Sequence, residues 1–168
     1  PWYMVIGRPR SGKSTAMKAL MNLEWPDAGS ASVFGLDTVS RGSEVRAQVG
    51  YMPEHHEQPY RWIPCGRLIQ HVAAHYPAWD HAYAAHLVRV FGVSLERKVG
   101  TLSKGEARRL QFVLAMAHRP PLLLLDEPTD GLDPLARSQV RGFLTELKGQ
   151  GKTIFLNSHI LQEVELIC

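Results

Sequence analysis

The feature that most constrains the fold of this chain is a glycine-bracketed loop near its start, GRPRSGKS at residues 7–14. An apolar run at residues 2–6 precedes the loop, and a helical pattern over residues 13–22 follows it. Glycines allow a tight turn whose successive backbone N–H groups face a phosphate, and the N-terminus of the following helix adds positive potential. The spacing G-x-x-x-x-G-K-S in this context therefore predicts a nucleotide phosphate site.

Apolar strands and helical segments alternate along the rest of the chain. We predict strands at 31–34, 47–51, 122–126 and 153–157, and helices near 66–76, 80–91, 104–118 and 134–148. Alternation around apolar strands predicts a mainly parallel sheet with helices on both faces. The stretch from His55 to about Gly100 has no strong strand pattern, so we interpret it as a helical insertion.

The helix predicted at 134–148 has clear signals at both ends. Asp133 can cap it, Pro134 suits its first turn, and two glycines follow its end, at 149 and 151. Its periodicity predicts a buried face formed by Leu135, Val140, Phe143, Leu144 and Leu147.

Composition narrows the possible functions. The chain has 168 residues, 45% hydrophobic and 21% charged, which is enough for one globular domain with a core. Its net charge of +3 comes from dispersed basic residues, so the charge pattern does not support nucleic-acid binding. No apolar run approaches the roughly 18 residues that a membrane span needs. His71 and His75 lie one helical turn apart, but no third ligand has zinc-type spacing.

A second informative stretch runs from residue 102 to 134. A four-leucine strand ends in two acids, Asp126 and Glu127. Upstream, Ser103 and Glu106 form the S-x-x-E pattern of a capping box for the helix predicted to start at 104. A capped helix start also attracts anions. These residues therefore predict both a structural cap and a second phosphate contact.

Taken together, these motifs resemble the ATP-binding-cassette (ABC) family of ATPases, in its bacterial exporter-type branch. Five motifs follow the family's order: GRPRSGKS at 7–14, YMPE at 51–54, LSKGE at 102–106, LLLLDEPTDGLD at 122–133, and a histidine, His159, after TIFLN. The resemblance implies a P-loop NTPase three-layer α/β fold with a mainly parallel sheet and an inserted helical subdomain. We expect one domain over 1–168, truncated at both ends, with the helical subdomain at 55–108.

The resemblance also assigns roles around one ATP molecule. Lys13 would reach the β- and γ-phosphates, Glu127 would polarise the attacking water, and His159 would contact the γ-phosphate. Three residues are implied to hold Mg²⁺, namely Ser14, Asp126 and Glu54. The implied ATP-binding segment consists of Gly7, Arg8, Pro9, Arg10, Ser11, Gly12, Lys13, Ser14 and Thr15.

Other residues are implied to act on the ATP of an opposing subunit. Ser103 and Gly105 would contact that γ-phosphate, and Asp133 would join the two sites across the dimer. The resemblance thus implies a second nucleotide-binding domain, in a homodimer or heterodimer. It also implies polytopic membrane subunits, contacted through residues 55–75 at the cytoplasmic face of the inner or plasma membrane. No direct nucleic-acid partner is expected.

Several residues depart from the family's pattern. Arg10 replaces a glycine, Glu54 replaces a glutamine, and Lys104 and Glu106 change the usual LSGGQ to LSKGE. If position 10 requires a positive φ, arginine costs about 1–2 kcal/mol there. Two alternatives therefore stay open beside a transport ATPase: a soluble ABC ATPase that does not transport, and a degenerate cassette that binds ATP as a scaffold.

Overall fold

The computed structural model describes the backbone of residues 2–4 and all atoms of residues 11–54 and 60–158. The elements, in chain order, are β1 (Trp2–Met4), α1 (Lys13–Leu20), β2 (Ser32–Val33), β3 (Leu36–Asp37), α2 (Gly42–Gln48), β4 (Val49–Met52), α3 (Cys65–Ala73), α4 (His81–Val90), a 3-10 helix (Val99–Thr101), α5 (Lys104–Met116), β5 (Leu122–Asp126), α6 (Pro134–Gly149) and β6 (Thr153–Asn157).

The main sheet of the described region is parallel throughout. Its strands lie in the order β1-β6-β5-β4, so strands from the start, middle and end of the chain are neighbours. In the register, Tyr51 of β4 pairs with Leu124 of β5, which pairs with Phe155 of β6. The prediction of a mainly parallel sheet is therefore confirmed.

The leucines of β5 divide between two hydrophobic cores, because successive strand residues point to opposite faces of a sheet. Leu123 and Leu125 face the larger core, which α3, α4, α5 and α6 complete. Leu124 faces a smaller core that includes Met17 of α1 and Val45 of α2. Helices thus cover both faces, as predicted.

The described residues between β4 and β5 form helices α3, α4 and α5 and the 3-10 turn. This helical segment shares the larger core with the sheet. Phe91, after α4, stacks on Phe112 of α5 with ring centroids 5.2 Å apart. Both phenylalanines are buried, so their contact joins α4 to α5, and α5 in turn packs on β4. The subdomain boundaries at 55–108 stay a prediction.

Local details differed from the expectations. The strand predicted at 31–34 is present only as β2, which pairs antiparallel with the unpredicted β3 around a turn in which Phe34 and Gly35 have positive φ values of 52° and 76°. Such a turn matches the twist of a hairpin. Helix α2 was missed, and the strand predicted at 47–51 begins only at Val49. Only Gly42 and Val45 are buried in α2, so it shows no apolar periodicity.

The buried face of α6 was predicted correctly except at its first member. Leu135 is 72% exposed, whereas Ala136 is buried. The buried stripe is Ala136, Val140, Phe143, Leu144 and Leu147. This stripe follows the helical repeat i, i+4, i+7, i+8, i+11, and Leu135 lies one position before it, outside the stripe.

Among the described helices, none has the length and apolar character to cross a membrane.

Substitution by alanine at two glycines, Gly50 and Gly142, should change the free energy of unfolding in opposite directions. A Cβ atom on Gly50 of β4 would lie 2.2 Å from the carbonyl oxygen of Ala115 and 2.6 Å from Cδ2 of Leu123. Gly50→Ala should therefore destabilise the fold by about 3 kcal/mol or more through overpacking. Gly142, inside α6, has open space around the same atom. Gly142→Ala should stabilise by about 0.5–1 kcal/mol, and urea titrations of both variants check the pair.

A buried histidine, His118, should make the free energy of unfolding depend on pH. His118 is 3% exposed and its ring stacks on Tyr76 at 4.2 Å. Burial lowers the pKa of His118 from 6.5 to about 4. Between those pH values the unfolded chain binds a proton that the folded chain does not, so the free energy of unfolding should fall by about 3 kcal/mol as pH drops through this window.

His118→Phe provides the comparison for that prediction, because phenylalanine keeps a ring against Tyr76 but has no proton to bind. The difference between the two unfolding free energies should be constant above pH 7 and should change steadily between pH 6.5 and 4. If the unfolding free energies of the two proteins ran parallel as pH falls, His118 could not have the lowered pKa assigned to it.

Candidate active site

The site lies where β5 and β6 end side by side. Their register pairs Asp126 with Asn157, and the Asn157 side-chain amide donates a short hydrogen bond to Oδ1 of Asp126. The backbone N–H of Glu127 donates to the carbonyl oxygen of Asn157 at 2.8 Å. The carboxyl ends of parallel strands are where open α/β sheets bind ligands. Asn157 was not among the predicted site residues, although its place at the end of a predicted strand was a usable signal.

The two acids of the motif are both buried but differ in backbone conformation. Asp126 is 1% exposed and Glu127 is 7% exposed. Asp126 is the last residue of β5, whereas Glu127 has a φ of 49°, in the left-handed region. That conformation costs a residue with a side chain about 1–2 kcal/mol. Strain of this kind persists where surrounding contacts over-determine it, and such positions cluster at functional sites.

Arg108 of α5 supplies one of those contacts and joins Glu127 to the turn at residues 53–54. Its side chain is buried, and its Nη2 donates to the carbonyl oxygen of Glu127 at 2.9 Å and to that of Glu54 at 2.9 Å. Its Nη1 donates to the carbonyl oxygen of Pro53 at 2.7 Å and to Oε1 of Gln111 at 3.0 Å. Burial lowers the pKa of Arg108, and nearby carboxylates oppose that shift.

Sequence reasoning did not single out Arg108 as a site residue. A signal was present, because Arg108 falls on the same helical stripe as the buried Phe112 and Ala115. Arginine is rarely fully buried without partners. A charged residue on a buried stripe therefore indicates a buried set of acceptors, but it does not say which ones.

The described part of the phosphate loop agrees with its predicted form. Gly12 has a φ of 88° and directly precedes α1, which starts at Lys13. A left-handed residue at this turn explains the need for glycine. The Nζ of Lys13 donates to Oγ of Ser11 at 3.2 Å, and Lys13 and Ser14 are half-buried. Thr15 is exposed in the first turn of α1.

Five predicted site residues lie outside the described residues. They are Gly7, Arg8, Pro9, Arg10 and His159. Their roles, like the roles in ATP and metal binding of the other predicted site residues, stay predictions.

The predicted capping box at the start of α5 is present. Oγ of Ser103 accepts a hydrogen bond from the N–H of Glu106 at 3.3 Å, and Oε2 of Glu106 accepts one from the N–H of Ser103 at 2.8 Å. The guanidinium of Arg97 also pairs with Glu106. The backbone and hydroxyl of Ser103, together with Arg97, lower the pKa of Glu106. Glu106, which departs from the family's pattern, is thus anchored within the chain.

The other departure in this motif, Lys104, is anchored too. Its Nζ lies 2.7 Å from Oδ2 of Asp130. Its alkyl stem covers Gly131, where an added Cβ would lie 2.6 Å from Cδ of Lys104. Gly105 also approaches this loop, because a Cβ on it would lie 3.1 Å from the carbonyl oxygen of Gly131. The structure therefore brings Ser103 and Gly105 together with the loop that leads to Asp133.

Asp133 has the capping role predicted for it. Its Oδ1 accepts from the N–H of Ala136 at 2.9 Å, at the start of α6. Its Oδ2 lies 3.2 Å from the guanidinium of Arg109. The hydrogen bond from Ala136, with a contribution from Arg109, lowers the pKa of Asp133. Asp133 is thus a charged surface group held between α5 and α6.

The oxygen groups near the strand ends suit Mg²⁺, which typically binds through one or two carboxylates together with waters and substrate phosphates. Asp126 has one oxygen oriented by Asn157, and the part predicted for Ser14 stays a prediction. For Glu54, the carbonyl is held by Arg108. Within residues 11–54 and 60–158, no cluster of three or more His, Cys, Asp or Glu side chains has metal-binding geometry.

A parallel sheet with helices on both faces, a left-handed Gly12 directly before α1 and a pair of buried acids at a strand end are features of the P-loop NTPase fold. More narrowly, the chain belongs to the ABC transporter family, because that family's model matches residues 1–130. This is a family of ATPases. The predicted fold class and family are therefore confirmed.

Two relatives illustrate the similarity. The chain is 36% identical to the Nod factor export ATP-binding protein I of Burkholderia thailandensis, over 98% of this chain and 55% of that protein. It is 31% identical to the ABC transporter ATP-binding protein NatA of Bacillus subtilis, over 98% of this chain and 69% of that protein. The chain thus spans between about half and two thirds of the length of these relatives.

Solved structures agree with this assignment. An ATP-binding subunit of an ABC transporter superposes with a TM-score of 0.89 at 30% identity, covering 99% of this chain and 71% of that one. An ATP-bound bacterial Atm1-family ABC exporter superposes with a TM-score of 0.81 at 20% identity, covering 97% of this chain and 30% of that one. The second comparison shows a shared fold.

The cap at the start of α5 gives a prediction for stability. Ser103→Ala removes the acceptor for the N–H of Glu106 and should lower the free energy of unfolding by about 0.5–2 kcal/mol. Ser103→Asp should retain most of that stability, because aspartate caps helices about as well as serine. Urea titrations measure both variants, and equal losses would show that the cap contributes nothing.

Proposed function

We propose that this chain binds and hydrolyses ATP as the nucleotide-binding part of a membrane transporter, of the exporting kind. The observation that carries the proposal is the buried pair Asp126 and Glu127, held at the carboxyl edge of the sheet by Asn157 and Arg108. Two adjacent buried acids are costly unless partnered. Asn157 pairs with the Asp126 carboxylate, and Asn157 and Arg108 hold the backbone of Glu127.

Asp126 and Ser14 would hold Mg²⁺, with Glu54 as a further oxygen ligand. The ion would neutralise charge that develops on the β- and γ-phosphates. Asn157 supports this role because its hydrogen bond orients the Asp126 carboxylate. Orienting groups of this kind are a regular part of metal sites.

Glu127 would polarise the water that attacks the γ-phosphate. Its position suits this role, because its N–H is bonded to Asn157 and its carbonyl to Arg108. With the backbone held at both ends, the carboxylate starts from a defined place. Lys13 would bind the β- and γ-phosphates, with the backbone of residues 7–15 around them, and His159 would contact the γ-phosphate.

A second copy of the domain would complete the site. Ser103 and Gly105 begin α5, whose N-terminal N–H groups favour an anion. In a head-to-tail dimer this helix start would face the γ-phosphate of the ATP that the partner holds. Asp133 lies on the adjoining loop, which Lys104 ties to α5 through Asp130. The two half-sites within one chain would thus move together.

The proposed membrane partner would contact the region of residues 55–75. In the described part of that region, Trp62 is 72% exposed and Tyr60 is 41% exposed. Exposed aromatic side chains are enriched at protein interfaces. The relatives named for export and transport support polytopic membrane subunits at the cytoplasmic face of the membrane. No direct nucleic-acid contact is part of this proposal.

Glu127→Gln in the full protein tests the proposal. Turnover should fall by about 10²–10⁴-fold, while ATP binding persists and an ATP-bound dimer accumulates. Phosphate release, fluorescent-nucleotide binding and light scattering measure these three quantities. Glu44→Gln, at an exposed position of α2, is the matched control and should leave all three unchanged. Lys13→Ala should abolish ATP binding.

The outcomes separate the alternatives. A scaffold that binds ATP without hydrolysis would behave the same with and without Glu127→Gln. The ATP-bound dimer, captured from detergent-solubilised cells, should bring a polytopic membrane protein with it. Capture of ribosomes or DNA in its place would contradict transport and favour a soluble ABC ATPase.

A further inference from the structure

We propose that Arg108 is a positioning residue that couples the movement of helix α5 and of the turn at residues 53–54 to the carboxylate of Glu127. The inference rests on the proposed role of Glu127 as the group that polarises water. It adds a physical connection between Glu127 and the part of the chain proposed to contact the partner's ATP.

The contacts of Arg108 join three segments that are far apart in the sequence. Its guanidinium donates to the carbonyl oxygens of Pro53, Glu54 and Glu127, at 2.7, 2.9 and 2.9 Å. Pro53 and Glu54 follow β4, and Glu127 follows β5. A guanidinium has five donors in a rigid planar fork, whereas a lysine ammonium is a single centre. Arginine can therefore hold all three carbonyls in one geometry.

The bond to Glu127 matters because of that residue's backbone. Glu127 has a φ of 49°, a conformation that residues with side chains rarely adopt. Its N–H is held by Asn157 and its carbonyl by Arg108. The same carbonyl also accepts from the N–H of Asp130 at 3.1 Å, so loss of Arg108 would remove the shorter of its two hydrogen bonds and one restraint on the left-handed conformation. The carboxylate would then lose its defined position, and misplacement by about 1 Å can slow a reaction 10²-fold.

The helix that carries Arg108 also carries the proposed contact to the other ATP. Ser103 caps α5, and Arg108 lies little more than one turn further along it. Phe112 packs α5 against the end of α4 through Phe91. A shift of α5, caused by a phosphate at its N-terminus or by motion of α4, would therefore reach Glu127 through the guanidinium.

Arg108→Lys in the full protein tests this connection, because it keeps the charge and loses the fork. We expect kcat to fall about 10–100-fold while the dissociation constant for ATP changes less than about threefold. The double variant with Glu127→Gln should be no slower than Glu127→Gln alone, because both changes act through one group. A purely structural effect would multiply with the effect of Glu127→Gln.

Leu87→Ala is the matched control for lost stability. Leu87 is fully buried in α4 and contributes to the larger core, and its aliphatic side chain has no donor for the three carbonyls. This variant should lower the unfolding midpoint and leave kcat, measured well below that midpoint, within about twofold of the unmodified protein.

A milder variant covers the case in which Arg108→Lys does not fold. Gln111→Leu removes the side-chain acceptor of Arg108 Nη1 and leaves the three carbonyl contacts in place. We expect a smaller fall in kcat, roughly threefold to tenfold, that again disappears in the Glu127→Gln background.

Three results would overturn the inference. The first is a kcat within twofold of the unmodified protein in the folded Arg108→Lys variant or, if that variant does not fold, in Gln111→Leu. The second is a loss of kcat that Leu87→Ala reproduces, and the third is a pair of losses that multiply in the double variant. Full turnover in Glu127→Gln alone would instead contradict the proposed function, so the two failures are distinguishable.

Discussion

The parallel pairing of β5 with β6 is the interaction on which the rest of the structure depends. It sets Asp126 opposite Asn157 and allows the N–H of Glu127 to reach the carbonyl of Asn157. The same strand β5 divides its leucines between the two cores. Because one strand both fills the cores and ends in the acids, stable packing and site geometry have the same origin.

The site concentrates buried charge in a small volume. Asp126, Glu127 and Arg108 are all less than 10% exposed. Burying a charge is unfavourable unless its partners offset the cost of desolvation, and removing one partner leaves the remaining charge uncompensated. The neighbouring surface has weaker, exposed ion pairs, Lys104 with Asp130 and Arg97 with Glu106. Lys104 and Glu106, the two residues of LSKGE that depart from the family's pattern, therefore form ion pairs within the chain and hold the start of α5 against its neighbours.

Much of the fold followed from patterns that span only a few residues. The cap at Asp133, the capping box at Ser103 and the left-handed Gly12 each depend on near neighbours in the sequence. The two predictions that were wrong, at α2 and at Leu135, also have local causes. Helix α2 is too short and polar for an apolar stripe to show, and Leu135 lies one position off the buried stripe of α6.

The sequence by itself determined the family, the parallel α/β architecture and the caps at Ser103 and Asp133, because motifs, caps and periodicity are short-range effects. Only the tertiary structure decided what holds the acids in place. Asn157 lies 31 residues from Asp126, and Arg108 is 54 or more residues from the turn at 53–54. A hydrogen bond between such distant residues exists only once the strands have paired and α5 has packed on β4, so residue spacing along the chain cannot reveal it.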